Sequence, residues 1–208
     1  MKRKEILNII LEEKIVVVIR LKEQQQVEKV IEALVSGGIR ALEVTSNTPG
    51  YLEEIKKARA KYPNVLVGAG TITNKAKAQN AVAAGAQFLV TPNTNIETIH
   101  IAHENDIPIL MGAITPTEIC NASEAGADIV KLFPAGDMGL DYFKAVKGPL
   151  NTINLFAVGG VNIKTAADWI SAGAGGLGIG GGLTKPINSE KDFDDIVKLA
   201  KQYKEILK

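Results

Sequence analysis

Lys131 lies in the segment Ala127-Asp-Ile-Val-Lys-Leu-Phe-Pro134, an ammonium group inside an otherwise apolar, strand-like run. Burying a charge is costly unless it is paired or neutralised. A lysine in apolar surroundings drifts toward its neutral amine near pH 7, and that amine can attack a carbonyl carbon to form a Schiff base. The bland alternative is a lysine at a strand end with its head in water. A second charge, Glu43, interrupts the apolar run Ala41-Leu-Glu-Val-Thr45. Glu43 and Lys131 are the charged residues in the middle of their runs. An amine and a carboxyl group facing one cavity would supply a nucleophile and a general acid/base; the competing reading is a structural ion pair. Arg20 closes the run Ile15–Arg20 and can reach such a cavity from its rim.

Two glycine clusters point to an anion. Gly159-Gly160 and Gly180-Gly181-Gly182 each follow an apolar run, and glycine lets backbone N–H groups approach phosphate oxygens. Residues 176–181 also spell G-x-G-x-x-G. No strand follows the last helical segment to complete a βαβ unit, and no acidic residue ends such a strand, so a dinucleotide is not expected. His100 and His103 are the only histidines and fall on one helical segment, where they read as surface residues. With Glu43 as the one acidic strand-end partner, no metal and no cofactor are expected.

The elements that must position these groups alternate along the chain. Apolar runs at Ile15–Arg20, Ala41–Thr45, Leu66–Ala69, Phe88–Thr91, Pro108–Met111, Ile129–Leu132, Leu155–Val158 and Gly176–Gly180 are continuous rather than alternating, as in parallel strands covered on both faces. Helical patterns fall near 23–36, 51–61, 74–84, 95–105, 116–125, 139–147, 162–172 and 190–207, with one more before the first strand. Phrases such as Ala84-Gly85-Ala86, Ala125-Gly126-Ala127 and Ala172-Gly173-Ala174 recur just before a strand and act as helix stops. Eight strands and eight following helices predict a (β/α)8 TIM barrel with one extra N-terminal helix, a single domain over residues 1–208. A doubly wound open sheet has the same local pattern. In the barrel, strand ends carry the active site. Those ends bring Arg20, Glu43, Thr45, Thr71, Thr91, Pro92, Asn93, Lys131, Phe133, Val158 and both glycine clusters to one face. Glu43 and Lys131 lie on even-numbered strands, which share interior layers.

Composition narrows the setting. Hydrophobic residues make up 46% of the 208, enough for a sizeable core, and 24 basic residues stand against 23 acidic ones. The net charge of +1, with no basic face, argues against nucleic acid as a partner. One cysteine, Cys120, excludes an intrachain disulfide framework and suits a reducing cytoplasm. No apolar stretch is long enough to span a membrane, and the charged opening residues lack the apolar region of a signal peptide.

Several phrases resemble the 2-keto-3-deoxy-6-phosphogluconate (KDPG) and 4-hydroxy-2-oxoglutarate (KHG) aldolases. They are Val18-Ile-Arg20, Leu42-Glu-Val-Thr45, Gly68-Ala-Gly-Thr71, Thr115-Pro-Thr-Glu118, Lys131-Leu-Phe-Pro134 and Val158-Gly-Gly-Val161, in family order. The resemblance implies a homotrimeric class I aldolase that takes a keto acid and releases pyruvate. Lys131 would be its Schiff-base lysine and Glu43 its general acid/base. Arg20, Thr71 and Phe133 match family active-site positions, and Thr45, Asn47, Pro92 and Val158 join them as candidate substrate contacts. Gly159, Gly160, Gly180 and Gly181 are the candidate phosphate contacts. The gluconate enzymes usually carry arginine in place of Asn47, threonine in place of Val158 and serine in place of Gly181. Asn47, Val158 and Trp169 look more like the 2-keto-3-deoxy-6-phosphogalactonate (KDPGal) branch. The expected reaction is therefore cleavage of KDPG or KDPGal to pyruvate and glyceraldehyde 3-phosphate. A 4-hydroxy-2-oxoglutarate or non-phosphorylated substrate, a phosphosugar isomerase or epimerase, and a non-catalytic barrel are the competing readings.

Overall fold

The computed structural model describes residues 1–208. Eight parallel strands close into a barrel in sequence order: β1 (Ile15–Ile19), β2 (Ala41–Thr45), β3 (Leu66–Gly70), β4 (Leu89–Val90), β5 (Ile109–Ala113), β6 (Ile129–Leu132), β7 (Leu155–Val158) and β8 (Gly176–Ile179). β8 pairs back onto β1 through Val16 and Gly178, so the open-sheet alternative is excluded. Helix α1 (Arg3–Glu13) precedes the barrel. The outer ring is α2 (Val27–Ser36), α3 (Tyr51–Lys61), α4 (Lys75–Ala83), α5 (Ile96–Glu104), α6 (Pro116–Glu124), α7 (Ala135–Lys147), α8 (Ala166–Ser171) and α9 (Glu190–Ile206). No helix is long and apolar enough to cross a membrane. The recurring glycines before β2, β4, β6 and β8 adopt left-handed φ between 88° and 98°, a conformation that L side chains disfavour.

Several expected boundaries move, three of them for a visible local reason. β4 shrinks to two residues because its flanks are taken up by side chains. The Gln87 amide oxygen accepts Val67 N–H, and Thr91 donates to the Asn93 carbonyl. Helix α7 begins directly after Pro134 rather than at residue 139, and Gly139 (φ 83°) marks a break inside it. Helix α8 is confined to Ala166–Ser171, because Asn162 and Thr165 form a local turn first.

The barrel interior alternates large and small residues. The Phe88 ring fills the space where a side chain at Gly68 would stand, and Phe156 does the same for Gly176. Helix α1 crosses the opposite, N-terminal end. Its buried Ile6 and Ile10 face the core. Arg3 at its start pairs with Asp128, just before β6, at 2.7 Å. Glu13 at its end pairs with Arg40, just before β2, and with Lys204 of α9. Asp128 is the hub of this closure: its second oxygen lies 3.2 Å from His103 Nε2 and accepts Ile109 N–H at 3.0 Å. His103 is therefore half-buried and partnered rather than a surface residue; His100 is exposed.

Asp128 is buried and far from the C-terminal strand ends, so Asp128→Ala strands the Ile109 N–H and frees α1. The expected loss is about 2–3 kcal/mol of unfolding free energy. Urea denaturation measures it, and an unchanged midpoint would contradict the assigned closure.

Candidate active site

Lys131 is the third residue of β6, aligned with Gly112 on β5 and Phe156 on β7. Its side chain points inward and is 5% exposed. Glu43 is the third residue of β2, aligned with Val18 and Gly68, and is 1% exposed. Both line one small cavity walled by Val16, Val18, Val90, Leu110, Phe156 and Val158. Its free space is about 10 Å³, close to what a single water occupies.

The amine and the carboxyl group are not an ion pair, since the ion pairs of the structure all lie elsewhere. Glu43 Oε2 is buried with no hydrogen-bond partner. Desolvation dominates both groups. Burial pushes the Lys131 amine below its ordinary pKa, opposed by the Glu43 charge and aided by Arg20. Burial likewise raises the Glu43 carboxyl, opposed by Lys131 and Arg20. Each group is thereby moved toward its neutral form. Lys131 Nζ also lies 4.8 Å from the centroid of the half-buried Phe133 ring, which flanks the nitrogen. A buried amine with a lowered pKa, beside a carboxyl with a raised one, can add to a ketone and shuttle protons at the same centre.

Room for the Glu43 carboxyl is made by Gly70 on the next strand. A Cβ at Gly70 would meet Glu43 Oε1 at 2.5 Å. Beyond Gly70 the chain turns through Thr71, whose φ of 57° is unusual for a β-branched residue. Ser46 Oγ holds this turn by donating to the Thr71 carbonyl at 2.8 Å. Strain of this kind persists where surrounding structure enforces it. Thr71 Oγ1 in turn accepts Arg20 Nη2 at 3.4 Å.

The small cavity opens into a cleft of about 370 Å³ at the C-terminal ends of the strands. Buried Lys131 and Val158 and half-buried Phe133, Gly159 and Gly180 line it together with exposed Arg20, Gly160, Asn162, Gly181 and Gly182. Gly159 and Gly160 have φ of 87° and 75°, and the Gly159 carbonyl accepts Gly136 N–H at 2.7 Å. This bond ties the loop after β7 to the start of α7. Beyond β8, residues 181–184 form turns, and α9 starts at Glu190, so no helix N-terminus follows β8 directly. Any anion here would meet loop amides and Arg20.

The structure gathers Arg20, Glu43, Thr71, Lys131, Phe133, Val158 and the glycine pairs at one end of the barrel. Thr45 is fully buried, and its hydroxyl is turned onto the Ile19 carbonyl and Thr48 rather than left free toward the cleft. Asn47 lies exposed on the turn after β2, outside the cleft wall. The Pro92 backbone lies where a side chain at Gly112 would stand, on the same inward face as Lys131. Thr48 and Asn162 were not among the expected residues. Asn162 directly extends the Val158-Gly-Gly-Val161 phrase, a signal present in the sequence. Thr48 had none.

Comparison with known proteins bears on the same residues. The family model for KDPG and KHG aldolases matches residues 6–199. The 2-dehydro-3-deoxy-6-phosphogalactonate aldolase of Escherichia coli K12 is 34% identical over 178 residues, covering 84% of this chain and 87% of that protein. The 2-dehydro-3-deoxy-phosphogluconate aldolase of Dickeya dadantii is 31% identical over 191 residues, covering 90% and 89%. Among solved structures, a native KDPGal structure superimposes with a TM-score of 0.85 at 30% identity, covering 92% and 93% of the two chains. The KDPG aldolase of Legionella pneumophila, captured with pyruvate as a covalent carbinolamine intermediate, superimposes with a TM-score of 0.78 at 26% identity, covering 97% and 95%. Because the family match runs through every strand that contributes to the cleft, this chain belongs to the KDPG and KHG aldolase family, and it is a carbon–carbon lyase.

Proposed function

We propose that this chain is a class I pyruvate aldolase that cleaves a 2-keto-3-deoxy-6-phospho sugar acid, KDPG or KDPGal, to pyruvate and glyceraldehyde 3-phosphate. The observation that carries the reading is the Lys131 amine, buried without an ion-pair partner at the floor of a cleft and facing Glu43. Family membership as a lyase sets aside the isomerase and non-catalytic readings.

The neutral Lys131 Nζ attacks the C2 ketone, and the carbinolamine loses water to give an iminium. The neutral Glu43 acid donates the proton that lets hydroxide leave as water. As carboxylate, Glu43 then takes the proton of the C4 hydroxyl, directly or through one water in the small cavity. The C4–O bond becomes the aldehyde carbonyl, the C3–C4 bond breaks, and its electron pair neutralises the iminium nitrogen as an enamine. Glu43 returns the proton to C3, and water hydrolyses the imine to pyruvate and free Lys131. Arg20 and Thr71 hold anionic or hydroxyl groups of the substrate. Phe133 keeps the amine side of the cleft apolar. Amides of Gly159, Gly160, Gly180 and Gly181 receive the distal phosphate. The lack of a side chain at residue 181 favours a second substrate class, a keto-deoxy acid without phosphate, which parallel assays with and without the phosphate resolve. The same reading includes a homotrimer in a reducing cytoplasm, where the one free thiol, Cys120, stays reduced.

Borohydride reduction in the presence of pyruvate should leave an adduct of pyruvate mass on the Lys131 peptide, read by mass spectrometry. Well-folded protein with no adduct on any lysine would sink the Schiff-base reading. Lys131→Met should abolish trapping while raising stability at pH 7 by about 1–2 kcal/mol, because an apolar isostere replaces a buried, unpaired amine. The sign follows from the lowered folded-state pKa: the unfolded chain binds the proton more tightly, so burial of Lys131 costs stability at neutral pH. That gain shrinks as pH rises from the lowered folded-state value toward the ordinary 10.5, which denaturation at several pH values tests.

Gly70→Ala leaves the fold intact but displaces the Glu43 carboxyl. The expected drop in kcat is about 100-fold, the scale of a misplaced catalytic group. A variant with normal kcat would remove Glu43 from the proposed role. Val158→Thr restores a hydroxyl beside the C4 centre and should shift the ratio of gluconate to galactonate cleavage rates toward the gluconate substrate. An unchanged ratio rules out this wall as the stereochemical determinant.

A further inference from the structure

Arg20 stands at the mouth of the cleft, one residue beyond the end of β1. The β1–β2 ladder stops at Ile19 opposite Val44, so strand pairing does not fix the guanidinium-bearing residue. The main chain on either side of Arg20 is held by side-chain hydroxyls. Thr45 Oγ1 donates to the Ile19 carbonyl at 3.1 Å. Thr48 Oγ1 lies 3.1 Å from Thr45 Oγ1 and 3.3 Å from the same carbonyl. Leu21 N–H donates to Thr48 Oγ1 at 3.2 Å. Each hydroxyl carries one proton. One continuous arrangement uses all of them: Leu21 N–H to Thr48, Thr48 O–H to Thr45, and Thr45 O–H to the Ile19 carbonyl. This circuit starts one residue after Arg20 and ends one residue before it. Both threonines are almost wholly buried, at 0% and 1% exposure, so water does not compete for these bonds.

We propose that Thr48 is a positioning residue for substrate binding: its hydroxyl clamps the main chain across Arg20 and aims the guanidinium over the cleft toward Thr71 and the anionic end of the substrate. The inference rests on the reading above, in which Arg20 holds an anionic group. A valine at residue 48 would fill the same volume yet orphan Leu21 N–H and open the circuit. The turn that carries Arg20 would then drift while the core beneath it stays packed. Serine keeps the hydroxyl and closes the circuit again.

The test is steady-state cleavage by the full chain carrying Thr48→Val, Thr48→Ser or Arg20→Gln, and by the Thr48→Val/Arg20→Gln double variant. The substrate is whichever of KDPG or KDPGal the unsubstituted protein cleaves. The expected result is a KM raised about tenfold in Thr48→Val, with kcat far less affected and KM restored in Thr48→Ser. In the Arg20→Gln background, Thr48→Val should add nothing, because the clamp has lost the group it aims. An unchanged KM in folded Thr48→Val, or the same fold-increase with and without Arg20, overturns the proposal in favour of a merely structural hydroxyl. Should Thr48→Val lose its native circular dichroism, Thr45→Val opens the same circuit at its other end and is held to the same criteria. Absent turnover in the unsubstituted protein overturns the functional reading itself, and is distinguished by appearing before any variant is made.

Discussion

The site depends on the desolvation of one amine. Lys131 is enclosed by apolar barrel residues, has no carboxylate in ion-pair contact, and is held below its ordinary pKa by that burial. A paired ammonium in the same place would be a stable structural feature and a poor nucleophile. The barrel leaves Lys131 and Glu43 without an ion pair, and burial shifts each group toward its neutral form. The rest of the molecule must then supply the free energy that such a pair costs.

That supply lies at the other end of the barrel. Asp128 and Glu13 are buried carboxylates as well, but each is met by cations and tied to α1. The contrast is spatial: satisfied charges close the N-terminal end, and unsatisfied ones face the cleft at the C-terminal end. Stability and reactivity are thus assigned to opposite ends of the same strands, as the fold generally permits.

Much of this could be read from the sequence. Parallel strands covered on both faces appear as uninterrupted apolar runs, so all eight were visible, and a charge inside such a run marked Glu43 and Lys131 at once. The glycine stops before β2, β4, β6 and β8 revealed the repeat. Other features were hidden for physical reasons. β4 is cut short by Gln87 and Thr91, whose side chains act on the backbone of neighbouring strands, and composition does not register such bonds. His103 looked solvated because its partner Asp128 is 25 residues away in the chain. Thr45 stood among the candidate substrate contacts beside the family motif, whereas its hydroxyl is engaged with the end of β1. Thr48 carries no sequence signal, since a threonine in a turn is ordinary until the groups it bridges are known.

The Val158 methyls occupy the space above Gly178, the residue aligned with it on β8, where an added Cβ would lie 2.6 Å away. The wall of the cleft at this point is therefore shared between two strands as a single volume. Enlarging residue 178 while trimming residue 158 would move that bulk sideways across one register pair, leaving the backbone and the Lys131–Glu43 pair where they are. Such a swap offers a lineage of these barrels a way to reshape the cleft wall in two small steps, with the intermediate losing packing at one register pair.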